Sequence, residues 1–193
     1  MSIKRRRETT IEFLTTDETR RLFSVIKHKR DKAIFLTAYR HGLRASEVGK
    51  LQVSDIDWKK LRIRLERLKG SHGGEHPMEP DEARVLKSYL RARKQQDSPI
   101  LFLSAFGLPI SRKQLHTLMR KYGSLAKLPL EKQHFHVLKH TIATHLLEAG
   151  DDVRFLQDRL GHTNIQNTVI YTHLVSRSRI EKARKHFSKL PHF

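Results

Sequence analysis

Residues 136–173 read HVLKHTIATHLLEAGDDVRFLQDRLGHTNIQNTVIYTH, and the fold is decided here. The spacing predicts a helix from about Val137 to Ala149 that ends at Gly150. A second helix spans about Val153 to Leu160 and stops at Gly161, because glycine adopts the left-handed conformation that closes a helix. Leu146, Leu147 and Leu156 fall on inward positions. A third helix is predicted to start near Ile165 and to carry Val169 and Ile170. A last basic helix covers roughly Arg177 to Phe187.

Upstream, the same helical period recurs. Thr15 with Glu18 forms a capping box ahead of a stripe through Leu22, Phe23 and Ile26. A helix from about Asp31 to His41, with Ile34, Phe35 and Ala38 inward, ends at Gly42. A short one follows from about Ala45 to Leu51, and Ser54 to Asp57 reads as a turn. The period then changes. Leu61, Ile63 and Leu65 alternate with Arg62, Arg64 and Glu66, the two-residue repeat of a half-exposed strand. Gly70 to Gly74 supplies a turn, after which Glu75 to Met78 returns as a second strand. Pro80 opens a helix with Ala83, Leu86, Tyr89 and Leu90 on its apolar face. Ile100 to Phe102 adds a short strand. Ser111 and Gln114 cap a helix expected to run to Tyr122 and to stop at Gly123. The expected class is α+β, mostly α-helical with a small antiparallel β-sheet.

Composition narrows the partners. The 193 residues hold 39 Lys+Arg against 20 Asp+Glu, a formal charge of +19. Such a field concentrates polyanions, of which nucleic acid is the commonest and an anionic membrane surface the alternative. No apolar run approaches the ~20 residues of a membrane span, and Met1 to Arg7 lacks the apolar core of a signal peptide. A cytoplasmic protein, nucleoid-associated if bacterial, is expected. The absence of cysteine excludes disulfides, a thiolate zinc site and a cysteine nucleophile. His136 and His140 lie four apart on one helix, but no acidic partner completes a metal set, so no metal is expected.

Four segments then fall in a telling order: Gly42-Leu43-Arg44-Ala45-Ser46-Glu47, His136-Val137-Leu138-Lys139-His140, Leu160-Gly161-His162 and Ile170-Tyr171-Thr172-His173. With Lys69-Gly70 in the hairpin, they resemble the catalytic domain of the tyrosine recombinases, the phage integrase family. Ala143 to Gly150 is similar as well. The resemblance runs from about Thr15 to Leu174. It implies a basic tail over 1–14, a catalytic domain over 15–174 and a basic C-terminal helix or tail over 175–193.

The resemblance also implies a chemistry. Members of this family cut DNA with a tyrosine hydroxyl, leaving a 3′-phosphotyrosine and a free 5′-hydroxyl, with no metal and no ATP. Tyr171 matches the nucleophile. Its ordinary pKa near 10 demands a base or an electropositive site. Arg44 matches the first phosphate-clamping arginine, with Glu47 as the nearby carboxylate. Lys69 matches the lysine that protonates the leaving oxygen, and His136 and His162 match the histidines that handle protons and bind the phosphate. Lys4, Arg5, Arg6, Arg7, Arg154, Arg159, Arg177 and Arg179 are expected phosphate contacts. The partner implied is double-stranded DNA, held by a tetramer through exchange of C-terminal segments, with a monomer free in solution. Tyr39, Tyr89 and Tyr122, by contrast, are expected to pack, and His145 and His173 to be structural.

Lys139 departs from the pattern, which has arginine in a His-x-x-Arg motif. Lysine keeps the charge and loses the planar two-oxygen grip, and one lost donor costs ~10²–10³ in rate. Reduced activity follows from this, with a cleavage-impaired DNA-binding protein of the same fold or a type IB topoisomerase-like relaxase as alternatives. A generic RNA-binding domain explains the charge but not the ordered residues. The layout is similar to the short stand-alone recombinases that invert fimbrial promoter segments. Most members carry a further N-terminal helical domain, for which the residues before Thr15 are too few; a piece of a longer protein is the alternative.

Overall fold

The structure, a computed structural model, describes residues 11–67, 73–94 and 97–175. Lys4 to Arg7, Lys69, Arg177, Arg179 and the expected last helix lie outside the described residues.

Helix α1 (Thr16–Val25) starts as its sequence dictates. The Thr15 hydroxyl accepts from the Glu18 N–H at 3.2 Å, and the Glu18 carboxylate accepts from the Thr15 N–H at 2.8 Å. Helix α2 (Lys29–His41) ends at Gly42, whose φ of 58° is left-handed. A Cβ added there would also meet Leu160 Cδ2 at 2.6 Å, so the turn that closes α2 abuts the end of a distant helix. The short α3 (Ala45–Val48) follows at once.

Strands β1 (Ile56–Asp57), β2 (Arg62–Leu65) and β3 (Gly74–Pro77) form one antiparallel sheet in that order, with Ile63 opposite His76. Ile63, Leu65 and His76 point inward and the arginines outward, as alternation requires. Ile100 to Phe102 is not a strand. It makes an isolated bridge from Ile100 to Gln52, with the Leu101 N–H donating to Leu51 O at 2.7 Å. The neighbouring Pro99 has no N–H to extend the ladder.

Helix α4 (Pro80–Ala92) carries Pro80 at its first turn. Helix α5 (Arg112–Leu125) has the expected Ser111–Gln114 box but runs through Gly123. That glycine is required by a close approach, since a Cβ there would sit 2.7 Å from the Gln133 side chain. Helix α6 (Val137–Ala149) and helix α7 (Val153–Leu160) end at Gly150 and Gly161, both left-handed. The expected third helix is only α8 (Gln166–Val169), and Ile170–Val175 tightens into a 3-10 turn.

Two apolar clusters hold these elements. The larger joins α1, α2, α4, α5 and the sheet, with Phe35 edge-on to Tyr122 and Phe135. The smaller contains Ile142, Ala143, Leu147, Leu156, Leu160, Tyr171 and Val175. Helix α6 contributes to both. Phe23 and Leu146, expected inward, are only half-buried at the cluster edges.

Candidate active site

Arg44 is the residue that opens α3, and Glu47 reaches back to it. The Arg44 backbone N–H donates to Glu47 Oε2 at 2.8 Å and its Nη1 donates to Oε1 at 3.0 Å. Arg67, just past β2, donates from Nη1 to the same Oε2 at 3.0 Å. Burial pushes the Glu47 carboxyl up, but the Arg44 N–H and the Arg67 and Lys139 charges outweigh it, and the net shift is downward. Arg67 also donates to the carbonyls of His41 and Arg159, each at 2.8 Å, and of Gly42 at 3.3 Å. It is spent on the closing carbonyls of α2 and α7, and its side chain is fully buried. The Arg44 side chain keeps 31% exposure and stands at the surface above it.

Lys139 lies in the floor of the same site. Its ammonium is buried and donates to Leu160 O at 3.0 Å, at the C-terminus of α7. Burial brings its pKa down to about 7; the Arg44 and Arg67 charges act the same way, and Glu47 opposes them. This cation therefore titrates near neutrality, which an arginine never does.

Three histidines surround these cations. His136 opens α6 and is exposed at the rim; crowding around its ring and the Lys139 charge hold its pKa below the ordinary value. His162 follows Gly161, with Nδ1 3.0 Å from the Thr168 hydroxyl. Burial, then Lys139 and Arg44, push it down to about 4. His140 sits one turn beyond His136, the two rings edge-on at 4.4 Å between centroids.

Tyr171 seats in the smaller cluster with 2% of its surface exposed. Its hydroxyl lies 2.8 Å from His140 Nδ1. Burial pushes the phenol up to about 12, and the Arg44 charge opposes that shift. The chain thus brings Arg44, His136, Lys139, His162 and Tyr171 from four segments into one electrostatically coupled site.

The other tyrosines are engaged elsewhere. Tyr122 donates to Asp31 at 2.7 Å, Tyr89 stacks on Phe102, and the Tyr39 hydroxyl meets His145 Nδ1 at 2.9 Å. His145 Nε2 in turn lies 2.9 Å from Leu14 O, while His173 is exposed. Arg154 is exposed on α7, whereas Arg159 is half-buried and donates to Arg40 O at 3.1 Å. Among the described residues no group of His, Asp or Glu is arranged to hold a metal, and no helix is long and apolar enough to cross a membrane.

Sequence reasoning missed Arg67 and His140. The signal for Arg67 was the alternation itself, since position 67 continues the inward phase of 61, 63 and 65. His140 shares a helix face with His136, but its pairing with a tyrosine far along the chain has no local signature.

The phage integrase family model matches residues 12–177. Tyrosine recombinase XerA of Pyrococcus horikoshii is 36% identical over 180 residues, covering 89% of this chain and 61% of that protein. Type 1 fimbriae regulatory protein FimB of Escherichia coli K12 is 40% identical over 146 residues, 74% of this chain and 72% of that protein. The crystal structure of XerA recombinase superposes with a TM-score of 0.79 at 29% identity, over all of this chain and 68% of that one. XerH bound to its palindromic difH substrate shares the fold, with a TM-score of 0.77 at 21% identity over 93% of this chain and 54% of XerH. A fold, an arginine–lysine–histidine site with a seated tyrosine, and a family match over most of the length agree: the chain belongs to the phage integrase family.

Proposed function

We propose that this protein is a site-specific recombinase that cuts and rejoins double-stranded DNA through a 3′-phosphotyrosine. The observation that carries this reading is the gathering of Tyr171, His136, Lys139 and His162 around the charge of Arg44. The chain spans 61% of XerA and 72% of FimB, so the activity is argued from these residues as much as from the relatives.

In this mechanism the scissile phosphate sits over Arg44, with His136 and His162 beside it and Lys139 supplying charge from below. Tyr171 Oη attacks phosphorus, the P–O5′ bond breaks, and Lys69 gives a proton to the departing oxygen. Fixed cations stabilise the charge that builds on the non-bridging oxygens. The bond energy stays in the phosphotyrosine, so the reverse attack by a 5′-hydroxyl reseals the strand without ATP or metal. Arg154 and Arg159, with Lys4 to Arg7, Arg177 and Arg179, are assigned to phosphate contacts. Four copies acting on two duplexes would exchange the segment after Val175.

A second reading is favoured by one feature. Lys139 is committed to Leu160 O and half-neutral near pH 7, which fits a DNA-binding relative that cleaves poorly. Salt-dependent binding is common to both readings. Nicked suicide duplexes tiled across the DNA flanking the gene separate them. A denaturant-resistant adduct from the native chain supports recombination; an adduct from Lys139→Arg alone supports the binding protein.

A further inference from the structure

Attack by Tyr171 requires an acceptor for the phenolic proton. The residues that the family resemblance casts as proton-handling are His136 and His162. His136 is exposed at the rim, and the Nδ1 of His162 is engaged with Thr168. The group in hydrogen-bond contact with the Tyr171 hydroxyl is instead His140 Nδ1, at 2.8 Å, one helical turn deeper in α6. Both rings are fixed by packing: Tyr171 in the smaller cluster, and His140 against both the His136 ring at 4.4 Å and the Tyr171 ring at 5.7 Å.

We infer that His140 is the catalytic base for Tyr171, a role that rests on the recombinase reading. As Oη bonds to phosphorus, the phenolic proton passes to His140 Nδ1 and leaves an imidazolium. At the other end the P–O5′ bond breaks and the 5′-oxygen takes its proton from Lys69. On rejoining, the 5′-hydroxyl attacks, its proton returns to Lys69, and the departing phenolate recovers its proton from His140. Each cycle thus restores both groups, and no co-reactant is needed.

The surroundings favour the acceptor form. Burial, then His136, His134, Lys139 and His162, hold His140 well below the ordinary histidine range, at about 3. The ring is therefore neutral and able to offer Nδ1 a lone pair, provided Nε2 carries the proton. With the phenol raised to about 12, the proton stays on Tyr171 while the site is empty. An entering phosphate places a negative charge among these groups and stabilises the imidazolium, and bond formation to phosphorus acidifies the phenol. Tyr171 is thus activated only when DNA is seated.

The test compares single-turnover adduct formation on the tiled nicked duplexes by the native chain, Tyr171→Phe, His140→Asn and His140→Ala. Asparagine places an oxygen acceptor near the position of Nδ1 yet cannot take a proton. A base role predicts that His140→Asn and His140→Ala are both slowed by about 10²–10⁴-fold, with melting temperature and DNA binding near native. Substituting sulfur for the bridging 5′-oxygen removes the need to protonate the leaving group. That change should rescue Lys69→Ala and leave the His140 variants slow. Native-like cleavage by His140→Asn would reduce His140 to a positioning residue and overturn the inference, as would rescue of His140→Asn by the sulfur substrate. In both cases the Tyr171-dependent adduct survives, and the recombinase reading with it. No adduct from the native chain or from Lys139→Arg would bring down the recombinase reading, and the role of His140 would fall too.

Discussion

The two sides of the site are held in different ways. Arg44 and Glu47 stand on the larger cluster, locked by Arg67 through a carboxylate and the closing carbonyls of two helices. Tyr171 stands on the smaller cluster, held by apolar contacts from α6 and α7 and by the contact with His140. The arginine side is braced by ion pairs and hydrogen bonds, while Tyr171, the proposed nucleophile, sits on the region with fewer buried contacts to hold it. Such regions open first. Helix α6 runs through both, with Val137 and Leu138 in one cluster and Ile142 and Leu147 in the other. His136, Lys139 and His140 lie between them.

The largest effect should come from the larger cluster. Phe35→Ala removes a fully buried ring that meets Tyr122 and Phe135 at 5.7 and 5.6 Å, and should cost about 3–5 kcal/mol in urea unfolding. Leu156→Ala, in the smaller cluster, should cost less, about 2–3 kcal/mol. Its signature is local: amide exchange over Val153–Val175 should accelerate while Lys29–His41 keeps its protection. Equal acceleration in both would erase the distinction between the two regions.

The next effect is electrostatic. At limiting DNA, cleavage reports the free protein. With Lys139 charged below about pH 7 and neutral above, the rate should fall about tenfold per pH unit on the alkaline side, or about 1.4 kcal/mol. Lys139→Arg should flatten that limb. The same lowered pKa makes the fold gain stability as pH rises from about 7 toward the ordinary lysine range. In that window the unfolded chain binds a proton that the folded one has shed. The smallest effect is that of Tyr171→Phe on stability, about 1 kcal/mol by thermal melting, because one hydrogen bond is lost and the ring remains.

Much of this architecture was legible in local chemistry. Thr15 with Glu18 and Ser111 with Gln114 start helices, and Gly42, Gly150 and Gly161 end them, because each acts within a few residues. Gly123 misled because its lack of a side chain accommodates Gln133, a tertiary contact that mimics a stop signal. The Ile100 segment misled because a β-branched residue in an apolar run also suits an isolated bridge. In the candidate site, segment order singled out Arg44, His136, Lys139, His162 and Tyr171, which the fold gathers around the Arg44 charge. The links from Arg67 to Glu47 and from His140 to Tyr171 are contacts across 20 and 31 positions, which only the packed chain creates. That Lys139 is tied to Leu160 was likewise invisible until α6 and α7 were set side by side.

The most direct measurement is the covalent step itself. Native protein and Tyr171→Phe are each incubated with nicked suicide duplexes from the DNA flanking the gene, then denatured and resolved for protein-linked DNA. The expected result is an adduct joined through a 3′-phosphate to Tyr171 in the native chain and none in the variant. An adduct of equal yield from Tyr171→Phe, or tight binding with no adduct from either the native chain or Lys139→Arg, would contradict the assignment of Tyr171 as the nucleophile of a working recombinase.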